Sequence, residues 1–143
     1  MKASRPLVLD ANILLRGIFG LRIRDLLASH QETVEFFTPD VCIEEALRHI
    51  PAIAQHKRVD PVQVTADLHQ LVHLCVSIVD RTLYEEYEEA ARIRISARDP
   101  DDWPIVATAL LLNAPIWTED QDFFGCGVAT WNSNSVEQFL RNS

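Results

Sequence analysis

The chain has 143 residues, 48% hydrophobic and 24% charged, with four glycines and a formal net charge of −8. This fits one domain over residues 1–143 and excludes collagen-like, disordered and low-complexity classes, and no apolar run approaches the roughly 18 residues of a membrane-spanning helix. The acidic balance also argues against a domain that holds nucleic acid by bulk electrostatics.

Lys2 and Arg5 precede a first apolar run, Leu7 to Leu9, but Asp10 interrupts it and no small-residue cleavage site follows. A secretory signal is therefore not expected, and the cytoplasm is the default compartment. The run reads as a buried strand ending in Asp10, followed by a helix from Asn12 to Ser29. A second strand, Phe36 to Thr38, leads into a helix over Asp40 to Ile50, whose apolar stripe is Ile43, Ala46, Leu47 and Ile50. A helix from Pro61 to Leu74 comes before a strand from Val76 to Val79. The next helix, Thr82 to Ser96, carries Glu85, Glu86, Glu88 and Glu89, which with Arg92 and Arg94 read as a solvated face. A helix from Asp102 to Asn113 and strands at Ile116 to Trp117 and Val128 to Trp131 follow. The last helix, Asn134 to Leu140, opens with Asn134 and Glu137 spaced as a capping box. Strands alternating with helices imply a parallel α/β fold. Pro51, Pro61, Pro100, Pro104 and Pro115 are expected at element boundaries. Cys42, Cys75 and Cys126 are odd in number and lack zinc-like spacing, which suits buried or inert thiols in a reducing compartment.

In open α/β sheets ligands bind beyond the carboxyl ends of the strands, so what each strand ends with matters. The first ends in Asp10, with Asn12 just beyond; the fourth ends in Thr118, Glu119 and Asp120, with Asp122 beyond. Taken singly, each acid reads as a turn or cap residue, but two strand ends carry them. Asp102 lies three and four residues before Ile105 and Val106 and so projects toward the core side of its helix; Asp101 competes as a simple cap. Glu44 and Glu45 both lie off their helix's stripe, and periodicity leaves open which of them points inward. Carboxylates converging in one cleft stay ionised only with cations between them, and Mg²⁺ or Mn²⁺ suits an all-oxygen donor set.

Four stretches resemble the motifs of PIN domains, metal-dependent nucleases that include the VapC-type toxins of bacterial toxin and antitoxin pairs. They are Leu7-Val-Leu-Asp-Ala-Asn12, Thr38-Pro-Asp-Val-Cys-Ile-Glu-Glu-Ala-Leu47, Asp99-Pro-Asp-Asp-Trp-Pro-Ile-Val-Ala-Thr-Ala-Leu110 and Trp117-Thr-Glu-Asp-Gln-Asp-Phe123, in family order over nearly the whole chain. The resemblance implies a three-layer α/β/α fold with a five-stranded parallel sheet of order 3-2-1-4-5. It implies catalytic metal ligands at Asp10, Glu45, Asp102 and Asp120, with Glu44 a one-residue slip from Glu45. Asn12, Thr118 and Asp122 are then accessory, the cofactor is Mg²⁺ or Mn²⁺, and the reaction is hydrolysis of RNA phosphodiesters. An antitoxin protein is an expected partner if the chain is a toxin, and a homodimer is open. With little basic charge overall, Arg16, Arg22 and Arg24 on or just after the first helix are the best-placed substrate contacts.

Other classes lose a catalytic part. A haloacid-dehalogenase-type phosphatase needs an aspartate where Asn12 stands, and a receiver domain needs a late strand-end lysine, whereas the only lysines are Lys2 and Lys57. No P-loop, Gly-x-Gly-x-x-Gly or Gly-x-Ser-x-Gly occurs. His69 and His73 are spaced as a ligand pair but fit the polar face of an amphipathic helix better. The rival from another class is a non-catalytic PIN-fold interaction module whose acidic cleft binds a partner's Arg or Lys, or RNA.

Overall fold

A computed structural model describes residues 4–95 and 99–142. The sheet is built from β1 (Arg5–Leu9), β2 (Val34–Pro39), β3 (Val76–Val79), β4 (Ile116–Trp117) and β5 (Thr130–Trp131), all parallel, in the order β3-β2-β1-β4-β5. The expected order is the observed one. β1 sits centrally because Leu7, Val8 and Leu9 are apolar on both faces and wholly buried, which only a strand covered above and below tolerates. It pairs Leu7 with Phe36 on one side and Leu9 with Trp117 on the other.

Helices α1 (Ala11–Phe19), α2 (Leu21–Ser29), α3 (Asp40–Lys57) and α4 (Pro61–Cys75) pack on one another as one layer. On the opposite face α5 (Arg81–Tyr84), α6 (Glu88–Ile95) and α7 (Trp103–Leu112) gather around α7, which lies against β1 and β2. The short α8 (Val136–Arg141) is joined to β5 by the Trp131 and Phe139 rings, 5.8 Å apart, and to the start of β1 by Arg5, which stacks on Phe139. No helix among the described residues is long and apolar enough to cross a membrane.

Several boundaries depart from the sequence expectation. The helix expected over Asn12 to Ser29 is broken at Gly20, which is extended, and the carbonyls of Gly17 and Ile18, freed by the helix end, accept hydrogen bonds from Arg24. α3 runs straight through Pro51 to Lys57: the proline is on the exposed face, where the hydrogen bond it removes can be replaced by water. Pro104 falls in the first turn of α7, where a missing amide has no helical acceptor anyway. The helix expected from Thr82 divides into α5, a 3-10 turn at Glu85–Tyr87 and α6; Ser96, its expected end, lies outside the described residues, as does Lys2. The last strand pairs over Thr130–Trp131 only. The capping box at Asn134 is not formed. Asn132 accepts from the amides of Asn134 and Ser135 instead, and Glu137 pairs with Arg141 and Arg22. Cys42 and Cys126 are buried free thiols, and Cys75 is half-buried and free.

Candidate metal centre

The ends of β1 and β4 are adjacent at the switch point of the sheet, where connections leave in opposite directions and a crevice opens. Asp10 follows β1 and caps α1, its Oδ1 accepting from the Ile13 amide at 2.9 Å. Its Oδ2 accepts a hydrogen bond from the hydroxyl of Thr118, at the end of β4. That hydroxyl also accepts from the Asp120 amide at 2.9 Å, so one side chain holds the buried acid and the backbone of the next. Asp10 is 5% exposed. Burial pushes its carboxyl up to about 6; the Thr118 and Ile13 hydrogen bonds oppose the rise, and the charges of Asp120 and Glu45 add to it.

Asp102 ends a 3-10 turn, Pro100–Asp102, and stands immediately before α7. It occupies the cap position, yet its side chain makes no capping hydrogen bond, so the simple cap reading fails there. Asp99 instead caps the turn, accepting from the Asp101 amide. Burial lifts Asp102 to about 7, followed by the charges of Asp99, Asp120, Glu45 and Asp10. Asp10 and Asp102 therefore each feel Glu45 and Asp120, and the four acids share one field. Glu45 is half-buried, whereas Glu44 is exposed, so Glu45 is the acid that faces this field. Asp120 is exposed, with its Oδ1 accepting from the Asp122 amide.

The donor set is all oxygen. Cys42, one turn before Glu45 on α3, is buried, and desolvation and then the Asp10 charge push its thiol up, which keeps it protonated and a poor ligand. Among the described residues no three His, Cys, Asp or Glu side chains already stand grouped to hold an ion. Like charges with no cation between them repel, and gathering on one requires rotation of Glu45 and Asp120, whose positions are open enough to permit it. Asp10, fixed by two hydrogen bonds, is the anchor of the set.

The predicted cations lie outside this field. Arg16 donates to Asn12 Oδ1 at 2.9 Å, Arg22 to the Ser133 carbonyl at 2.7 Å, and Arg24 to the end of α1. Two contributors were missed from sequence. Asp99 exerts the largest charge effect on Asp102, and its Asp-Pro step was a readable turn signal. Glu119, which the sequence places at the β4 end without a role, accepts from the Ser133 amide at 2.6 Å and ties the β4 end to the segment after β5.

A sequence profile described as a PIN domain matches residues 8–141. No curated protein matches the sequence significantly. Solved structures do. PAE2754 from Pyrobaculum aerophilum superposes with a TM-score of 0.70 at 19% identity, covering 96% of this chain and 93% of that one. VapBC2 from Rickettsia felis, bound to a DNA fragment from its promoter, gives 0.69 at 15% identity over 89% and 98% of the two chains. FitAB bound to the IR36 DNA fragment gives 0.60 at 14% identity over 88% and 94%. At these identities the structural likeness establishes the fold.

Proposed function

Since the chain belongs to the PIN domain family, we propose that it is a divalent-metal-dependent endoribonuclease, acting as a single domain, whose ligands are Asp10, Glu45, Asp102 and Asp120. The observation that carries the reading is that Asp10 and Asp102, from different elements, are both lifted well above the carboxylate range beside two further acids, and among the described residues neither forms an ion pair. Grouped acids of that kind are stable as anions only around a cation. A bound Mg²⁺ or Mn²⁺ supplies charge neutralisation and a water of lowered pKa. The chain's own parts then divide the work. Thr118 orients Asp10 and the Asp120 backbone, Asn12 holds Arg16 at the mouth, and Asp122 braces Asp120. Arg16, Arg22 and Arg24 are the proposed phosphate contacts.

Incubating mixed single-stranded RNAs with Mn²⁺ or with excess chelator tests this. Cleavage confined to the Mn²⁺ arm and absent in Asp10→Asn supports it; undiminished cleavage in chelator, or none with Mn²⁺, refutes it. The VapBC2 and FitAB neighbours also support a toxin role, for which we propose an antitoxin whose arginine enters the acid cluster. Mn²⁺ should then weaken that complex by competition. Self-association into a homodimer is read by sedimentation of the purified chain.

A further inference from the structure

Next to the acids is a cleft of about 410 Å³ between α1, α2 and α3, lined in part by Asn12, Arg16, Phe19, Arg22, Ile53 and Lys57. We propose that it is a nucleobase and phosphate subsite, holding the RNA strand a few nucleotides from the bond to be cut; the inference rests on the ribonuclease reading.

Charge is the first argument. The chain carries −8, yet among the described residues this cleft is lined by Arg16, Arg22 and Lys57 and by no carboxylate; Arg22 is engaged from outside the lining by Glu137 at 3.5 Å, so Arg16 and Lys57 carry most of the positive charge. Such local inversion suits a polyanion, and an apolar partner helix would have no use for it. The second is shape. Phe19 is half-buried, and Lys57 Nζ stands 6.0 Å from its ring centre, so a flat π-face and an ammonium group occur together. A base stacked on that ring would bring its phosphate toward the lysine. Leu15 and Ile23 complete an apolar floor, and the volume is that of a small-ligand pocket.

Placement is the third. Asn12, at one end, is two residues beyond Asp10. Glu45, Ile53 and Lys57 share α3, and at 1.5 Å per residue Ile53 and Lys57 lie about 12 and 18 Å along the helix from the acid. A strand entering the metal centre would cross the cleft within a few nucleotides. The fourth concerns selectivity. The Asn12 side-chain oxygen and the Ser133 carbonyl already accept from Arg16 and Arg22. With those acceptors engaged, the cleft reads stacking and charge rather than base edges, and should tolerate any base.

The test uses the full chain and a short labelled single-stranded RNA, with binding followed by anisotropy in Ca²⁺ and cleavage in Mn²⁺. One abasic site is walked along the RNA. The expected result is a roughly tenfold affinity loss at a single position a few nucleotides from the cut, and nowhere else. That loss should disappear in Phe19→Leu, which keeps the packing and removes the stacking face. Lys57→Glu, exposed and so tolerated by the fold, should weaken binding by roughly fivefold or more and flatten the salt dependence by about one ion. Melting temperatures verify that each variant is folded. If wild type binds and cuts while the abasic walk is flat and Lys57→Glu is silent, the subsite is refuted, the cleft is left to a protein partner, and the nuclease reading stands. If wild type neither binds nor cuts RNA, that reading fails and the subsite falls with it.

Discussion

Asp10 and Asp40 occupy the same place in neighbouring strands, each following the last residue of β1 or β2 and opening a helix. Their surroundings differ in sign. Asp40 is ringed by donors: its Oδ1 accepts from the Val41 amide and from the Tyr84 hydroxyl at 2.7 Å, and its Oδ2 from the Arg81 amide at 3.0 Å. Asp10 has two donors and faces Asp120, Glu45 and Asp102. One carboxylate is satisfied by the fold; the other is set in place by it among acids and, among the described residues, without an ion pair. The end of a strand makes an acid available, and its neighbours decide whether it joins two elements or awaits an ion.

The comparison can be broken most decisively at Asp10. Asp10→Asn should reduce RNA cleavage more than ~100-fold, a larger effect than loss of an outer contact to a ligand. Its melting temperature in chelator should equal or exceed that of wild type, because a buried charge amid like charges has been removed. A large drop in melting temperature would make Asp10 structural, like Asp40. Asp40→Ala should do the reverse. It leaves the buried Tyr84 hydroxyl and two amides without their acceptor, costing about 2–3 kcal/mol of stability. Chemical denaturation measures this, and Mn²⁺ affinity of the folded variant should change less than ~3-fold, the range of context effects on one site. Thr118→Val sharpens the contrast, since removing the hydroxyl frees Asp10 to rotate; Mn²⁺ affinity by calorimetry should fall roughly tenfold.

The smallest effect is on pH. Asp10 and Asp102 hold protons more tightly folded than unfolded, at about 6 and about 7 against an ordinary 3.8. Their stabilising contribution is therefore complete below 3.8 and is lost as pH rises to about 7. In chelator, the melting temperature of wild type relative to Asp10→Asn should decline across that window. Mn²⁺ should restore it above pH 7 and do little near pH 5, where protons compete. A wild-type melting temperature that rises relative to Asp10→Asn as pH increases would contradict the assignment.

Much of this was legible because the two central strands at the site, β1 and β4, are short, apolar and followed by acids; β3 and β4 fall where the sequence puts them, and the sheet order is the one the resemblance implies. The helices were less so, because their limits depend on tertiary partners. Gly20 breaks the first helix where Arg24 can take over its carbonyls, and Pro51 stays helical because its face is wet. Asn134 lost its capping role to Asn132 two residues earlier, which a pattern of spacing cannot distinguish. Glu44 and Glu45 are equivalent by periodicity, and only their exposure to solvent separates them. From sequence Asp40 is the start of a helix, but its bond to Tyr84 spans 44 positions and leaves no local trace.

The tryptophans have an optical consequence. Of the three in the chain, Trp103 directly follows Asp102 and Trp117 directly precedes Thr118. Trp103 is buried edge-on to Tyr84, with the Arg81 and Arg92 guanidinium carbons 5.5 and 5.4 Å from its ring centre. Indole emission responds to charge in its surroundings; Trp103 is one peptide bond from a proposed ligand, and Trp117 is one peptide bond from the threonine that holds Asp10 and three residues from Asp120. Ion uptake should thus be visible as a change in emission of the unlabelled protein, and Trp103→Phe would divide that signal between the α7 side of the crevice and the β4 side.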